Sequence, residues 1–113
     1  MSHSRWKTLR ERKLGAGFTE PGDVADARRE IRLSMALAQA VHGRRTELGL
    51  TQTELAARAG LTQAKISRIE GSDTVPTLPL LARLAQALDA SLNIALDDDR
   101  TEVSFIAHTT DAA

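Results

Sequence analysis

The sequence predicts a mainly α-helical fold that ends in a short β segment. Residues 51–71, TQTELAARAGLTQAKISRIEG, predict two consecutive short helices, because each starts at a capping residue and the first stops at a glycine. Only 3% of the 113 residues are aromatic, so the core must be built from Leu, Ile, Val and Ala, with frequent Arg and Glu also favouring helices. Apolar residues alternate with others over Ala90–Leu96, which indicates a strand.

Composition excludes several classes of protein. The chain has no Cys, so we expect neither disulfides nor a thiolate zinc site. No apolar run approaches the roughly 18 residues of a membrane span. The N-terminal residues contain no hydrophobic signal core, and we therefore expect a cytoplasmic protein with no membrane partner.

Charge divides the chain into three parts, although the net charge is zero. Residues 1–22 carry five bases and two acids, residues 23–88 nine bases and seven acids, and residues 89–113 one base and six acids. We interpret them as a basic N-terminal arm or short helix, a helical domain, and a strand with an acidic tail. The arm either packs on its own domain, contacts phosphates or binds a partner protein.

A long helix is predicted first, over residues 23–48, which contain no proline. Its apolar residues cover about half of its circumference, which is wide for a surface helix. They are Leu33, Leu37, Val41 and Leu48, with Ile31, Met35 and Ala38 beside them. The N-terminal half should need a further partner, either residues 1–20, a second subunit or another protein.

The two motif helices follow directly. Thr51 and Glu54 form a predicted capping box for the first helix, and Gly60 ends it in a left-handed conformation. Thr62 is the predicted N-cap of the second helix. Ile66 and Ile69 give that helix an apolar face, and the opposite face has amide, small and basic side chains, namely Gln63, Ala64, Lys65, Ser67 and Arg68.

The chain then continues through a loop over residues 72–76 into another helix, residues 78–88, capped by Thr77. Spacing predicts that its core residues are Leu78, Leu81, Ala85 and Leu88, with Leu84 as a further candidate. In the next strand, Leu92, Ile94 and Leu96 alternate with smaller or polar residues. Residues 97–100 form a polar turn, and Val103 and Phe105 indicate a second strand. Because a hairpin alone is marginally stable in water, we expect the first strand to dimerise with a symmetric copy or to fold back on its own helices.

Catalytic chemistry has little support in the sequence. His3, His42 and His108 lie in unrelated segments without the spacing of metal ligands, and no nucleophile elbow or phosphate-binding glycine loop is present. The acidic run at residues 97–99 is better explained as a turn. We therefore expect no enzyme, no cofactor and no metal.

The motif resembles the helix-turn-helix of the phage-repressor and Cro family, also called Xre. The similarity is carried by GLTQTELA, by AGLTQAKISRIEG and by the proline of VPTL, and it extends over roughly residues 37–88. The resemblance implies a lambda-repressor-like domain that binds palindromic double-stranded DNA as a homodimer. It implies an internal ion pair between Arg45 and Glu70, and DNA contacts from Gln52, Thr62, Gln63, Ala64, Lys65, Ser67, Arg68 and Thr74.

The leading helix and the strand after the last helix are similar to antitoxins of the HigA kind. That resemblance implies a repressor that regulates its own operon and neutralises a ribonuclease toxin of the RelE/HigB-like class. A stand-alone Xre regulator is the alternative. A ligand sensor is the weakest alternative, because the remaining length leaves no room for a separate sensor domain.

Overall fold

The computed structural model describes residues 22–98 and 100–108, and in this part of the chain it is mainly helical, as predicted. The elements are helices α1 (Gly22–Glu47), α2 (Gln52–Ala59), α3 (Gln63–Glu70) and α4 (Leu78–Ala87), followed by strands β1 (Ala90–Leu96) and β2 (Thr101–Ala107). The arm predicted over residues 1–22 lies outside the described residues except for Gly22.

The described residues before Arg32 belong to one compact unit, and those from Arg32 onward belong to a second. In the first unit, Arg29 Nη1 donates to Asp26 Oδ1 at 2.8 Å on the helix surface. Val24 and Ile31 of this unit are exposed by 43% and 58%. Since they lie seven residues apart, they share one side of the helix.

The second unit has an aliphatic core to which all four helices contribute. Its fully buried side chains are Leu37, Val41, Leu55, Ile66, Ile69, Leu84 and Leu88. Leu37 and Val41 of α1, and Ile66 and Ile69 of α3, lie at helical spacing, so each of these two helices buries one side. The core therefore holds α3 from behind and leaves its other side at the surface.

Local capping fixes the ends of the motif helices as the sequence predicts. Thr51 Oγ1 accepts from the Glu54 amide at 3.0 Å, and Glu54 Oε1 accepts from the Thr51 amide at 2.8 Å. Gly60 ends α2 with a φ of +70°, and its amide donates to carbonyls of the last turn. The short connection from Gly60 to Thr62 thus sets the direction in which α3 leaves α2.

One residue of α4, Leu78, is exposed although its spacing predicts a core position. Leu81, Leu84 and Leu88 are buried and Ala85 is half-buried, whereas Leu78 is 78% exposed. Leu78 is the first residue of α4, directly after the N-cap Thr77, whose Oγ1 accepts from the Leu80 amide at 3.4 Å. A side chain in that position lies beyond the part of the helix that contacts the core, so the prediction of a buried Leu78 was wrong.

Strands β1 and β2 pair with each other as an antiparallel hairpin. Leu92 lies opposite Phe105, and Ile94 opposite Val103, and all four side chains pack on the helical core. The second strand and the turn are thereby confirmed. Of the alternatives for β1, packing on its own helices is observed for Leu92 and Ile94, while dimerisation through Leu92, Ile94 and Leu96 stays a prediction.

None of the described helices has a stretch long and apolar enough to cross a membrane.

Candidate nucleic-acid interface

Helix α3 has one buried side and one exposed side. Ile66 and Ile69 have no exposed surface, and they fix the helix to the core. On the other side, Gln63, Ala64, Ser67 and Arg68 are all exposed, and Lys65 is half-buried. The five residues that the sequence assigned to an outward face therefore lie on one short helix, with only Lys65 partly covered by the protein.

The first turn of α3 is organised by Thr62, an exposed residue. Its Oγ1 accepts a hydrogen bond from the Lys65 amide at 3.1 Å, as expected of an N-cap. Gln63 is the first helical residue, so its side chain lies at the N-terminal end of α3. An amide side chain there has both a donor and an acceptor for base edges.

Arg45 of α1 and Glu70, the last residue of α3, form the ion pair that the resemblance implies. Arg45 Nε lies 2.6 Å from Glu70 Oε2, and Arg45 Nη2 donates to Oε1 at 2.9 Å. The two side chains are only 11% and 6% exposed. Arg45 also donates to the Leu50 carbonyl at 2.7 Å, so it joins α1 to the segment that leads into α2.

Burial alone would raise the pKa of the Glu70 carboxyl. Hydrogen bonds from Arg45, His42 and Gln52 outweigh this effect, and the pKa lies below its ordinary value. The His42 ring also contributes, with Nδ1 3.0 Å from Glu70 Oε1 and 3.1 Å from Arg45 Nη2. The carboxyl is therefore ionised at neutral pH and accepts hydrogen bonds from several directions.

Gln52 of α2 bonds to both ends of α3, namely to Glu70 and to Gln63. Its Nε2 donates to Glu70 Oε1 at 3.3 Å, and its Oε1 accepts from Gln63 Nε2 at 2.8 Å. Gln52 is half-buried at the start of α2 and lies beside Gln63 at the start of α3. The sequence indicated both glutamines as DNA contacts, but it did not indicate that they bond to each other.

The remaining predicted contacts lie farther along the chain. Arg68 faces Asp73, with Nε 3.8 Å from Oδ2, and both side chains are about two-thirds exposed. Thr74 is half-buried in the loop after α3. A phosphate could replace Asp73 as the partner of Arg68, since a weak exposed ion pair is easily exchanged.

Sequence reasoning missed the structural roles of other arginines. Arg44 Nε donates to the Leu88 carbonyl at 2.9 Å. Arg83 donates to the carbonyls of Ala59 and Gly60 at 3.0 and 2.6 Å, at the C-terminus of α2. These bonds satisfy carbonyls that a helix end leaves free. Sequence reasoning also missed the contacts of His42 with Glu70 and Arg45. His42 lies three residues before Arg45, and this spacing places both side chains on one side of α1.

Within the described residues, no three His, Asp or Glu side chains are grouped closely enough to hold a metal ion.

The two-helix motif lies in a segment that matches a known protein family. The model of the HTH_3 family, described as helix-turn-helix, matches residues 43–94. The matched segment runs from the last turns of α1 to the middle of β1 and includes all the candidate contact residues.

Individual relatives agree with this match. The chain is 36% identical over 75 residues to antitoxin HigA1 of Mycobacterium tuberculosis, covering 66% of this chain and 46% of the antitoxin. It is 36% identical over 66 residues to an HTH-type transcriptional regulator of Haemophilus influenzae, covering 58% of this chain and 67% of the regulator. The chain thus spans about half the length of the antitoxin that it matches.

A solved structure of a DNA-bound protein has a similar fold. The restriction-modification controller protein C.Esp1396I, crystallised as a tetramer in complex with its natural 35 base-pair operator, superposes with a TM-score of 0.51 at 29% identity. The superposition covers 52% of this chain and 78% of the controller protein.

Proposed function

Because the chain belongs to the HTH_3 helix-turn-helix family, we propose that it binds double-stranded DNA at specific sequences and represses transcription. The observation that carries the proposal is the division of α3 into a rear side buried by Ile66 and Ile69 and an exposed side with amide and basic groups. The buried isoleucines fix α3 to the core, and its exposed polar side chains can enter a major groove.

The chemistry of the exposed side fits base and phosphate contacts. Gln63 can pair with adenine N7 and N6 through both ends of its amide, and Lys65 and Arg68 can donate to guanine N7 and O6 or to phosphate. Ala64 is small enough to contact a thymine methyl group, and Ser67 to lie near the backbone. We assign Gln52, Thr62 and Thr74 to contacts with backbone phosphates, because each has a polar side chain near one end of α3.

A dimer would place two recognition helices about 34 Å apart, one turn of DNA, and would therefore favour a palindromic operator. Strand β1 supports such a dimer because each strand of the two-stranded sheet has an edge that no described strand covers. Unpaired strand edges readily accept another strand. Leu96 is 68% exposed at the end of β1, whereas Leu92 and Ile94 already pack on their own core.

The test of DNA binding is selection from a library of duplexes with 20 randomised base pairs. The full chain should enrich one sequence motif, arranged as an inverted repeat. The variant Gln63→Ala/Lys65→Ala should enrich none while melting at the same temperature as the wild type. Arg100→Ala removes a positive charge in the hairpin turn, far along the chain from α3, and should enrich the wild-type motif. Enrichment of the same motif by the double variant would contradict the assignment of α3.

The test of the dimer is sedimentation of Leu96→Glu beside Ile106→Glu, which places the same charge on the 55% exposed Ile106 of β2. The β1 interface predicts that only Leu96→Glu becomes monomeric. A monomeric wild type, or dissociation by Ile106→Glu alone, would contradict it.

We further propose that the protein acts as the antitoxin of a toxin–antitoxin pair and represses its own operon. The 36% identity to antitoxin HigA1 supports this role. The exposed Val24 and Ile31 on one side of α1 supply an apolar surface for a toxin of the RelE/HigB-like class. A stand-alone regulator is the second candidate, favoured by the similarity to the regulator of Haemophilus influenzae.

Co-expression with the product of the adjacent gene distinguishes the two roles. The antitoxin role predicts that the adjacent product arrests growth alone, and that the full chain restores growth even with Gln63→Ala/Lys65→Ala. Ile31→Asp should restore growth less well than the wild type. An adjacent product that is harmless on its own would favour the stand-alone regulator.

A further inference from the structure

His42 of α1 is the exposed member of the group of side chains that surrounds the Glu70 carboxylate. Its ring Nδ1 lies 3.0 Å from Glu70 Oε1 and 3.1 Å from Arg45 Nη2. The His42 side chain is 60% exposed, whereas the side chains of Arg45 and Glu70 are 11% and 6% exposed. The buried ion pair therefore meets the surface through the imidazole ring of His42.

Arg45 has its charge balanced and each of its nitrogens bonded inside the protein. Its Nε and Nη2 donate to the two oxygens of Glu70, and its Nη1 donates to the Leu50 carbonyl at 2.7 Å. Together the guanidinium and the carboxylate present no net charge. An added positive charge at this point of the surface has to come from the His42 ring.

The second ring nitrogen of His42, Nε2, is available to a ligand. Both contacts of the ring are made by Nδ1, and Nε2 forms no hydrogen bond with any residue in 22–98 or 100–108. Gln52 Nε2 lies 3.3 Å from the same Glu70 Oε1, so His42 and Gln52 approach one oxygen from two helices. Because we assign Gln52 to a backbone phosphate, a phosphate of the same strand would come within reach of the His42 ring.

The protonation state of the ring decides what Nε2 can do. A neutral histidine carries a hydrogen on only one of its two nitrogens. If Nδ1 donates that hydrogen to Glu70, Nε2 is an acceptor and repels a phosphate oxygen. If Nε2 keeps the hydrogen, the lone pair of Nδ1 faces the carboxylate oxygen at 3.0 Å. Only the protonated ring can donate to Glu70 and to a phosphate at the same time.

We propose that protonated His42 contacts a phosphate of the DNA backbone, so that DNA binding takes up a proton. This inference rests on the proposed DNA-binding function. Glu70 of α3 favours a positive charge on the ring, Arg45 of α1 opposes it, and the neighbouring Gln52 of α2 is uncharged. A bound phosphate adds a second negative charge and favours the protonated ring. DNA affinity should therefore rise as the pH falls.

The proton uptake is tested by fluorescence anisotropy with the full chain and its selected duplex. The measurements compare about pH 8 with about pH 6, the range in which histidine ordinarily changes its charge. Since an exposed charge pair changes an equilibrium by up to about fivefold, the wild type should bind about threefold to fivefold more tightly at the lower pH. His42→Gln should bind equally at both. His3→Gln/His108→Gln removes the other two histidines and should keep the wild-type rise.

Two further measurements distinguish a phosphate contact from a purely structural role of His42. The salt dependence of wild-type binding should be steeper at the lower pH, by about one ion for each subunit. The pH effect should be equal on the selected duplex and on a duplex of scrambled sequence, because phosphates carry no sequence information. His42→Lys is positive at both pH values and should show the steeper salt dependence at both.

Several results would overturn the inference. They are a wild-type affinity that does not change with pH, an equal rise in His42→Gln, and a pH effect confined to the selected duplex, which would indicate a base contact. If His42→Gln does not fold, His42→Lys decides, because a pH dependence that persists in it has another source. Failure of the wild type to bind any duplex would overturn the DNA-binding proposal as well, whereas sequence-selective binding without a pH effect would overturn this inference alone.

Discussion

The two sides of α3 differ in almost every property although they lie on the same eight residues. The rear side is apolar at Ile66 and Ile69 and ends in Glu70, whose carboxylate is covered and bonded to Arg45. The other side has exposed amide, hydroxyl and guanidinium groups, and its one ion pair, Arg68–Asp73, is loose and exposed.

This difference predicts that stability and DNA binding depend on different residues of α3. Substitutions on the rear side should change the free energy of unfolding, and those on the exposed side should change DNA affinity. Glu70 closes the buried pair with Arg45 and also accepts a hydrogen bond from Gln52 Nε2 at 3.3 Å.

The largest effect is expected for Arg45→Ala. Removing one partner of a buried pair leaves the other charge uncompensated, which costs about 3–5 kcal/mol. Urea unfolding measures this loss. Arg68→Ala removes an exposed ion pair and should change the free energy of unfolding by at most about 1 kcal/mol. Equal losses in the two variants would contradict the distinction between the two sides.

Ile66→Ala should destabilise the protein by about 2–5 kcal/mol, because it leaves a cavity behind α3 where no surface is exposed. Thermal and urea unfolding are the measurements. At a temperature where the variant is folded, its preferred DNA sequence should match that of the wild type. A changed preference with little loss of stability would show that Ile66 acts on recognition.

Lys65→Ala, in contrast to Ile66→Ala, should change DNA affinity and leave stability nearly unchanged. If Lys65 contacts a base, its loss weakens binding to the selected duplex by about 1–3 kcal/mol, while the free energy of unfolding stays within about 0.5 kcal/mol. Fluorescence anisotropy at several salt concentrations separates the two kinds of contact. A smaller salt slope together with a uniform loss on all sequences would identify a phosphate contact instead.

The smallest expected effect is the pH dependence of the free energy of unfolding that Glu70 causes. The pKa of Glu70 is lowered in the folded state, so its contribution to stability is present above the unfolded value of about 4.3 and is lost as the pH falls through the lower folded value. Glu70→Gln should therefore be less stable than the wild type at pH 7, and the difference should shrink below about pH 4. A difference independent of pH would contradict this role of the carboxylate.

The parts of the fold that the sequence predicted are those defined by local chemistry. The caps at Thr51, Thr62 and Thr77 and the left-handed Gly60 need only neighbouring backbone groups, and all four were correctly inferred. The buried face of α3 follows from the spacing of its two isoleucines. The prediction that Leu78 is buried was wrong, because spacing alone does not show where along a helix the contact with the core begins.

Contacts between distant residues could not be predicted in this way. Gln52 and Glu70 lie 18 residues apart, and their bond depends on the crossing of α2 and α3. The pairing of β1 with β2 could be expected, but the packing of Leu92 and Ile94 on the helices depends on how the hairpin meets α4. Arg44 and Arg83 looked like surface charges until the helix ends beside them were known.

The most direct measurement is an NMR titration of the labelled full chain with its selected duplex. We predict that the large shifts fall on Gln63, Ala64, Ser67 and Arg68 and on the side-chain amide of Gln52, with small shifts in α4 and the hairpin. Large shifts confined to α4 or the hairpin, with α3 unchanged, would contradict the claim that the exposed side of α3 binds DNA.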